Sequence, residues 1–182
     1  MRNIKYKITF FTDWHCGSGL TSGADLDLLV IKDKNRLPFI PGKTIKGLVR
    51  ETIEEIAGLR AEFIHSDENI MCFGKESKGC SFFTNAALEE KTQNAIIANK
   101  LQEYLYRSLA STAIDNEGIA KEGSLRKIEV CVPCELVGEI FEVPDNYVEK
   151  MEEGLKYIKR LGQNRNRGLG KCQISILKGE DR

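Results

Sequence analysis

The stretch that most constrains this chain is Leu37-Pro38-Phe39-Ile40-Pro41-Gly42-Lys43-Thr44-Ile45-Lys46-Gly47-Leu48-Val49-Arg50. Proline fixes φ and glycine admits turns that other residues avoid, so Pro41-Gly42 ends the extended run before it. From Thr44 the apolar residues Ile45, Leu48, Val49, Ile53, Ile56 and Ala57 recur at three- and four-residue steps, which predicts a helix with one buried face. Lys43, Lys46 and Arg50 lie in and just before its first two turns. Helix N-termini carry backbone N–H groups without intrahelical partners, so cations there suit phosphate; a solvated basic helix start is the alternative.

Other segments fall around this helix. Ile4, Tyr6, Ile8 and Phe10 alternate across residues 3–12 and predict a first strand. Asp13-Trp14-His15-Cys16-Gly17-Ser18-Gly19 follows as a loop, in which His15 is a candidate general base or RNA contact, or a structural histidine. In the next loop Asp25 and Asp27 stand two apart, so in extended chain their carboxylates project from one side. Such a pair can hold a divalent ion or take a proton from a hydroxyl, or can simply be solvated. Leu28 to Lys32 reads as a short apolar strand and Asp33-Lys34-Asn35-Arg36 as a turn. Residues 94–109 carry Ile97, Leu101, Tyr104, Leu105 and Leu109 at helical spacing and predict a second helix. The polar segment from Ile114 to Ser124 reads as a protruding arm that enters an extended run, Leu125 to Val132. Val148, Met151, Leu155 and Ile158 mark a last helix, and Cys172 to Leu177 a closing strand.

Before that strand lies Gly162-Gln163-Asn164-Arg165-Asn166-Arg167-Gly168-Leu169-Gly170. Its glycines allow close backbone approach to phosphate, Arg165 and Arg167 can grip it, and Gln163 and Asn164 can bond sugars or bases. The surrounding run from Lys156 to Lys171 holds six basic residues and no acid, although the formal charge of the chain is zero. Positive charge is thus segregated.

The six cysteines belong to a chain that reads as cytoplasmic: its N-terminus lacks the apolar core of a signal peptide, and no apolar run could span a membrane. Disulfides are not expected there. Only Cys131-Val132-Pro133-Cys134 has zinc-like spacing, with His65, Cys72 and Cys80 as the distant candidates to complete a site; buried thiols are the alternative. The element order predicts an α+β fold: a ferredoxin-like antiparallel sheet covered by two helices, as one domain over residues 1–182 with a mid-chain insertion.

Together these pieces resemble the RAMP superfamily, the ferredoxin-like RNA-binding subunits of CRISPR effector complexes. Phe39 to Gly47 with Arg50 is similar to its IPG-S/T-LKG-R signature. His15-Cys16-Gly17-Ser18-Gly19 is similar to the exit of its first strand, Phe73-Gly74 to its mid-chain FG, and Gly162 to Gly170 to its C-terminal loop. Gly118 to Arg126 with Glu129 resembles its thumb hairpin, placed here at about residues 111–126. The best fit is the backbone subunit of type III effectors. That resemblance implies guide-RNA binding by Lys43, Thr44, Lys46, Arg50, Arg126, Arg165 and Arg167. It further implies magnesium-dependent (or other divalent-cation) cleavage of target RNA, with Asp27 as the catalytic residue and Asp25 as its nearest substitute. Other effector subunits, and copies of the chain in a filament, are the implied partners. In the same superfamily a non-cleaving scaffold and a metal-independent guide-processing enzyme using His15 are the competing functions. In members with zinc the cluster lies near the FG, which points to Cys72 and His65.

Overall fold

The computed structural model describes residues 1–19, 28–60, 71–74 and 79–177. A sheet of six strands forms its centre. Strand β1 (Arg2–Phe10) lies between β7 (Glu135–Val143) and β8 (Cys172–Leu177), antiparallel to both. On its far side β7 pairs with the two-residue strands β3 (Phe82–Phe83) and β4 (Ala86–Ala87), and β4 pairs with β2 (Phe39–Ile40). The main order is therefore β2-β4-β7-β1-β8.

Alternation in β1 sends Ile4, Tyr6, Ile8 and Phe10 to the buried face and leaves Lys5, Lys7 and Thr9 opposite. Leu136, Ile140 and Val143 of β7 join the same core. Gly138 stands opposite Tyr6, and a side chain there would overlap the tyrosine ring.

Two helices pack onto this core. Helix α1 (Gly42–Arg60) buries Ile45, Val49, Ile53, Ile56 and Ala57, the stripe that its sequence spacing predicts. Helix α3 (Val148–Tyr157) buries Met151, Gly154 and Leu155. The two meet where Gly154 faces Ile53 and Val49: a Cβ at residue 154 would stand 2.6 Å from Ile53 Cγ1.

The helix expected over 94–109 is not what forms. Helix α2 spans Glu90–Ala98, a 3-10 turn follows at Gln102–Leu105, and Tyr106–Ser111 is strand β5. The helix ends because Lys100 takes φ 56°, with Lys100 N bonded back to Ile97 O and Leu101 N to Ile96 O. Beyond it, β5 pairs residue for residue with β6 (Arg126–Cys131), from Tyr106↔Cys131 to Ser111↔Arg126. Cross-strand bonding overrode a helical spacing of apolar residues. Residues 112–125, between these strands, are almost wholly exposed.

The segment from Leu28 to Lys32 is not a regular strand either. Leu28, Val30 and Lys32 each make one bridge, to Ile128, Gly17 and Pro38 respectively. Three partners in turn replace a single ladder. Asp33 to Arg36 does turn: Asp33 Oδ1 accepts from the amides of Asn35 and Leu37, both at 2.8 Å.

Candidate nucleic-acid interface

The glycine-rich loop is built onto the backbone of residues 13–15. Leu161 N bonds Gly170 O at 2.9 Å and closes the loop's base, while Gly170 N bonds Asp13 O at 2.7 Å. Gln163 N bonds His15 O at 2.8 Å. Gly162 (φ 97°) permits that contact, because a side chain there would overlap the His15 carbonyl. Asn164 (φ 55°) and Gly168 (φ 90°) then bracket a 3-10 turn at Arg165–Arg167.

Between this loop and α1 runs a groove of about 330 Å³, lined by His15, Gly17, Thr44, Glu51, Gln163 and Arg165 among others. It continues past Arg165 and Asn166 to Glu55, Lys159 and Arg160. Four residues singled out in the sequence thus share one site: His15, Thr44, Gln163 and Arg165. Gly17 keeps it open, since a Cβ there would lie 3.2 Å from both His15 Nε2 and Gln163 Nε2.

His15 is fully buried, and its Nδ1 is 2.6 Å from the carbonyl oxygen of Glu129. A carbonyl only accepts, so Nδ1 donates in this bond. Nε2 has no partner among the described residues. Buried polar atoms are nearly always satisfied, which makes this one informative.

The α1 cations do not line the groove. Thr44, Leu48, Glu51 and Glu55 recur at three, four and seven residues and turn toward the loop, while Lys46 and Arg50 share another side of the helix. Lys46 Nζ reaches toward Ser81 O (3.5 Å) and the Phe83 ring. Arg50 pairs with Glu54 at 3.9 Å, and Lys43 is exposed. The amides at the start of α1 are also engaged: Gly42 N with Asn85 Oδ1 (2.9 Å), Thr44 N and Ile45 N with Pro41 O. The amides of residues 42, 44 and 45, which the sequence offers to phosphate, thus have partners within the chain.

The sequence reading also passed over the acids that reach the groove. Glu51 and Glu55 follow Thr44 by seven and eleven residues, so helical periodicity alone could have placed them on its face. Carboxylates repel phosphates, so the side of the groove that suits an anion is that of Lys159, Arg160 and Arg165. Arg167 and Asn164 belong to the same loop, where Asn164 O accepts from Arg167 N at 2.8 Å. Arg126 lies elsewhere, exposed at the start of β6.

Two carboxylates, buried Asp13 and part-buried Glu129, join the β5–β6 hairpin to this site. Asp13 pairs with Arg107 of β5, Nε to Oδ2 at 2.6 Å. Glu129 of β6 accepts from Val30 N (3.0 Å) and from Lys32 Nζ (2.7 Å), while its amide donates to Leu28 O (2.9 Å). Asp25, Asp27 and His65 lie outside the described residues.

The cysteines do not assemble into one zinc site. Cys131 and Cys134 are hydrogen-bonded side chain to side chain beside Trp14, just before β7 begins at Glu135. Cys80 Sγ instead approaches Glu142 O at 3.7 Å, at the other end of that strand. Glu135 and Glu142 are roughly 23 Å apart at the usual rise of extended chain. Cys72 is buried with its carbonyl bonded to Ser81 N, on the Cys80 side. Among the described residues no group of three or more His, Cys, Asp or Glu could hold a metal ion. The thiol pair is polarised: the hydrogen bond from Cys131 and the nearby Trp14 indole hold Cys134 below the ordinary thiol value, and the same bond with burial pushes Cys131 up.

An antiparallel sheet backed by helices, with a glycine-rich loop and a groove of mixed charge, defines an α+β protein of a known kind. Its fold is similar to that of a chain in a structure described as Type III-B Cmr-beta bound to cognate target RNA. There the TM-score is 0.76 at 11% identity, over 97% of each chain. A chain of Type III-B Cmr-beta in the apo state gives 0.76 at 12% identity, covering 97% of this chain and 98% of that one. Identities this low speak for the fold alone. No curated protein sequence matches the chain. The RAMP superfamily matches residues 7–173, and the chain belongs to that superfamily.

Proposed function

We propose that this protein is a guide-RNA-binding backbone subunit of a type III CRISPR effector complex and that it cleaves complementary target RNA at Asp27. The observation that carries the binding half is the groove in which His15, Thr44, Gln163 and Arg165 converge. Membership of the RAMP superfamily, and likeness in fold to chains of Cmr-beta complexes, one bound to cognate target RNA, supports the setting. In this reading the sheet with α1 and α3 is a ferredoxin-like core: strands β8, β1, β7 and β4 follow the order and alternating directions of that fold. The hairpin of β5 and β6 is then the thumb, presenting residues 112–125 to the guide–target duplex. The groove holds the guide by backbone, sugar and base-face contacts, and pairing with the guide supplies sequence specificity. Sister subunits and further copies of the chain are the partners.

For cleavage, the 2′-hydroxyl of the target gives its proton to solvent and attacks the adjacent phosphorus, the bond to the 5′-oxygen of the next nucleotide breaks, and that oxygen takes a proton from solvent, leaving a 2′,3′-cyclic phosphate and a 5′-hydroxyl. Asp27, with Asp25 two residues before it, offers hard oxygen donors that suit magnesium or a similar divalent cation. Such a cation would stabilise charge on the phosphoryl oxygens. Among the described residues the cysteines form no group that could hold zinc, and no zinc enters this reading.

The test is a complex reconstituted with guide RNA and sister subunits, given labelled complementary RNA and magnesium. Asp27→Ala is expected to abolish regularly spaced cuts while leaving target binding within about twofold. Unchanged cutting would make the chain a scaffold. Cutting that persists in chelator and is lost in His15→Ala would instead favour metal-independent chemistry at His15.

A further inference from the structure

The Cys131–Cys134 pair takes no part in the reading above, and its surroundings give it a chemistry of its own. The two residues bracket the Val132-Pro133 turn that carries the chain from the hairpin into the central strand β7. Cys131 is fully buried and exchanges two backbone bonds with Trp14, N to O at 2.8 Å and O to N at 3.0 Å. Pro133 is exposed and Cys134 half-buried, so Cys134 is the member of the pair nearer to solvent. Their side chains are in hydrogen-bond contact. An approachable thiol backed by a buried one at C-x-x-C spacing is the arrangement that resolves a mixed disulfide internally.

We propose that Cys131 and Cys134 form a reversible intramolecular disulfide when a low-molecular-weight disulfide is the oxidant. In the first step the Cys134 thiolate attacks one sulfur of the small disulfide. The small S–S bond breaks, a mixed disulfide forms, and one small thiolate leaves and takes a proton. Cys131 then gives up its proton to water, attacks Cys134 Sγ and expels the second small thiolate, which is protonated in turn. Two protein thiols are oxidised, and one small disulfide is reduced to two thiols. The lowered thiol value of Cys134 favours it as the first attacker.

The chain carries its own control. Cys80 is also half-buried, and its sulfur contacts Ser81 Oγ (3.8 Å) and Glu142 O (3.7 Å). It reports whether a given mixture oxidises a half-buried thiol elsewhere in the chain.

The experiment equilibrates the reduced full chain with mixtures of oxidised and reduced glutathione, quenches with acid, alkylates, and maps the peptides by mass. The expected result is loss of the Cys131 and Cys134 thiols from the six of the chain, with one peptide carrying a Cys131–Cys134 bond. Cys131→Ser should stop at glutathione on Cys134, and Cys134→Ser should leave Cys131 reduced. Stable glutathione on Cys134 in the native chain would overturn the proposal. So would both thiols staying reduced in mixtures that glutathionylate Cys80. The native chain alone decides the matter, so a variant that folds poorly removes nothing.

Discussion

Glu129 and Arg50 are both paired charges, and their surroundings give them very different weight. The Glu129 side chain is 12% exposed and serves Val30 N, Lys32 Nζ and, through its backbone, both Leu28 and His15. Removing it leaves the part-buried Lys32 ammonium and the Val30 amide without their carboxylate. Glu129→Ala is therefore expected to cost about 2–4 kcal/mol in urea or guanidinium unfolding. Arg50, half exposed and 3.9 Å from Glu54, should cost no more than about 0.5 kcal/mol as Arg50→Ala. Nothing in the sequence ranks these two residues, because burial is decided by what packs over them. His15 is similar: a loop histidine in sequence, it becomes informative only when burial leaves Nε2 without a partner. Gln163 and Arg165 were legible as loop residues of the right chemistry, while their meeting with Thr44 was not.

Elements whose own periodicity is strong were readable. The apolar stripe of α1, the alternation of β1 and the closing strand β8 appear in the structure close to where the sequence puts them. The α1–α3 contact depends on a residue that periodicity does not mark. Gly154 lets α3 approach Ile53 and Val49, so Gly154→Val should lower stability by about 1–3 kcal/mol through overpacking, seen as a fall in the melting temperature. A matching loss of Ile53 volume, Ile53→Ala in the same chain, should recover part of it. Reading failed at β5, where a helical spacing of apolar residues lies in a strand. The deciding fact is the six-residue register with β6, some twenty residues later in the chain. Central strand β7 was missed for a related reason. Glu135, Gly138, Glu139 and Glu142 interrupt its apolar pattern, and its place between β1 and the short strands is visible only once they pair.

At the scale of the molecule, zero formal charge is arranged as a basic loop facing acids on α1. A lone chain of this kind should bind RNA weakly, with a shallow slope of log affinity against log salt, because few phosphates are neutralised. Assembly that aligns the basic loops of neighbouring copies should steepen that slope, as a salt titration of the chain and of the reconstituted complex would show. Equal slopes would mean that the single chain already presents the whole interface. The sequence by itself determined the α+β class, the helix after Pro41-Gly42, and the loop before β8 with the chemical groups it carries. These follow from local backbone preference and from the period of apolar residues, which neighbours in the chain suffice to set. Only the tertiary structure decided which side of α1 faces the loop, and that acids rather than lysines line it. It also engaged the amides of the α1 N-terminus with Pro41 and Asn85, and it separated Cys80 from the Cys131–Cys134 pair. Those outcomes depend on contacts between segments far apart in sequence, and such contacts form only when the core closes.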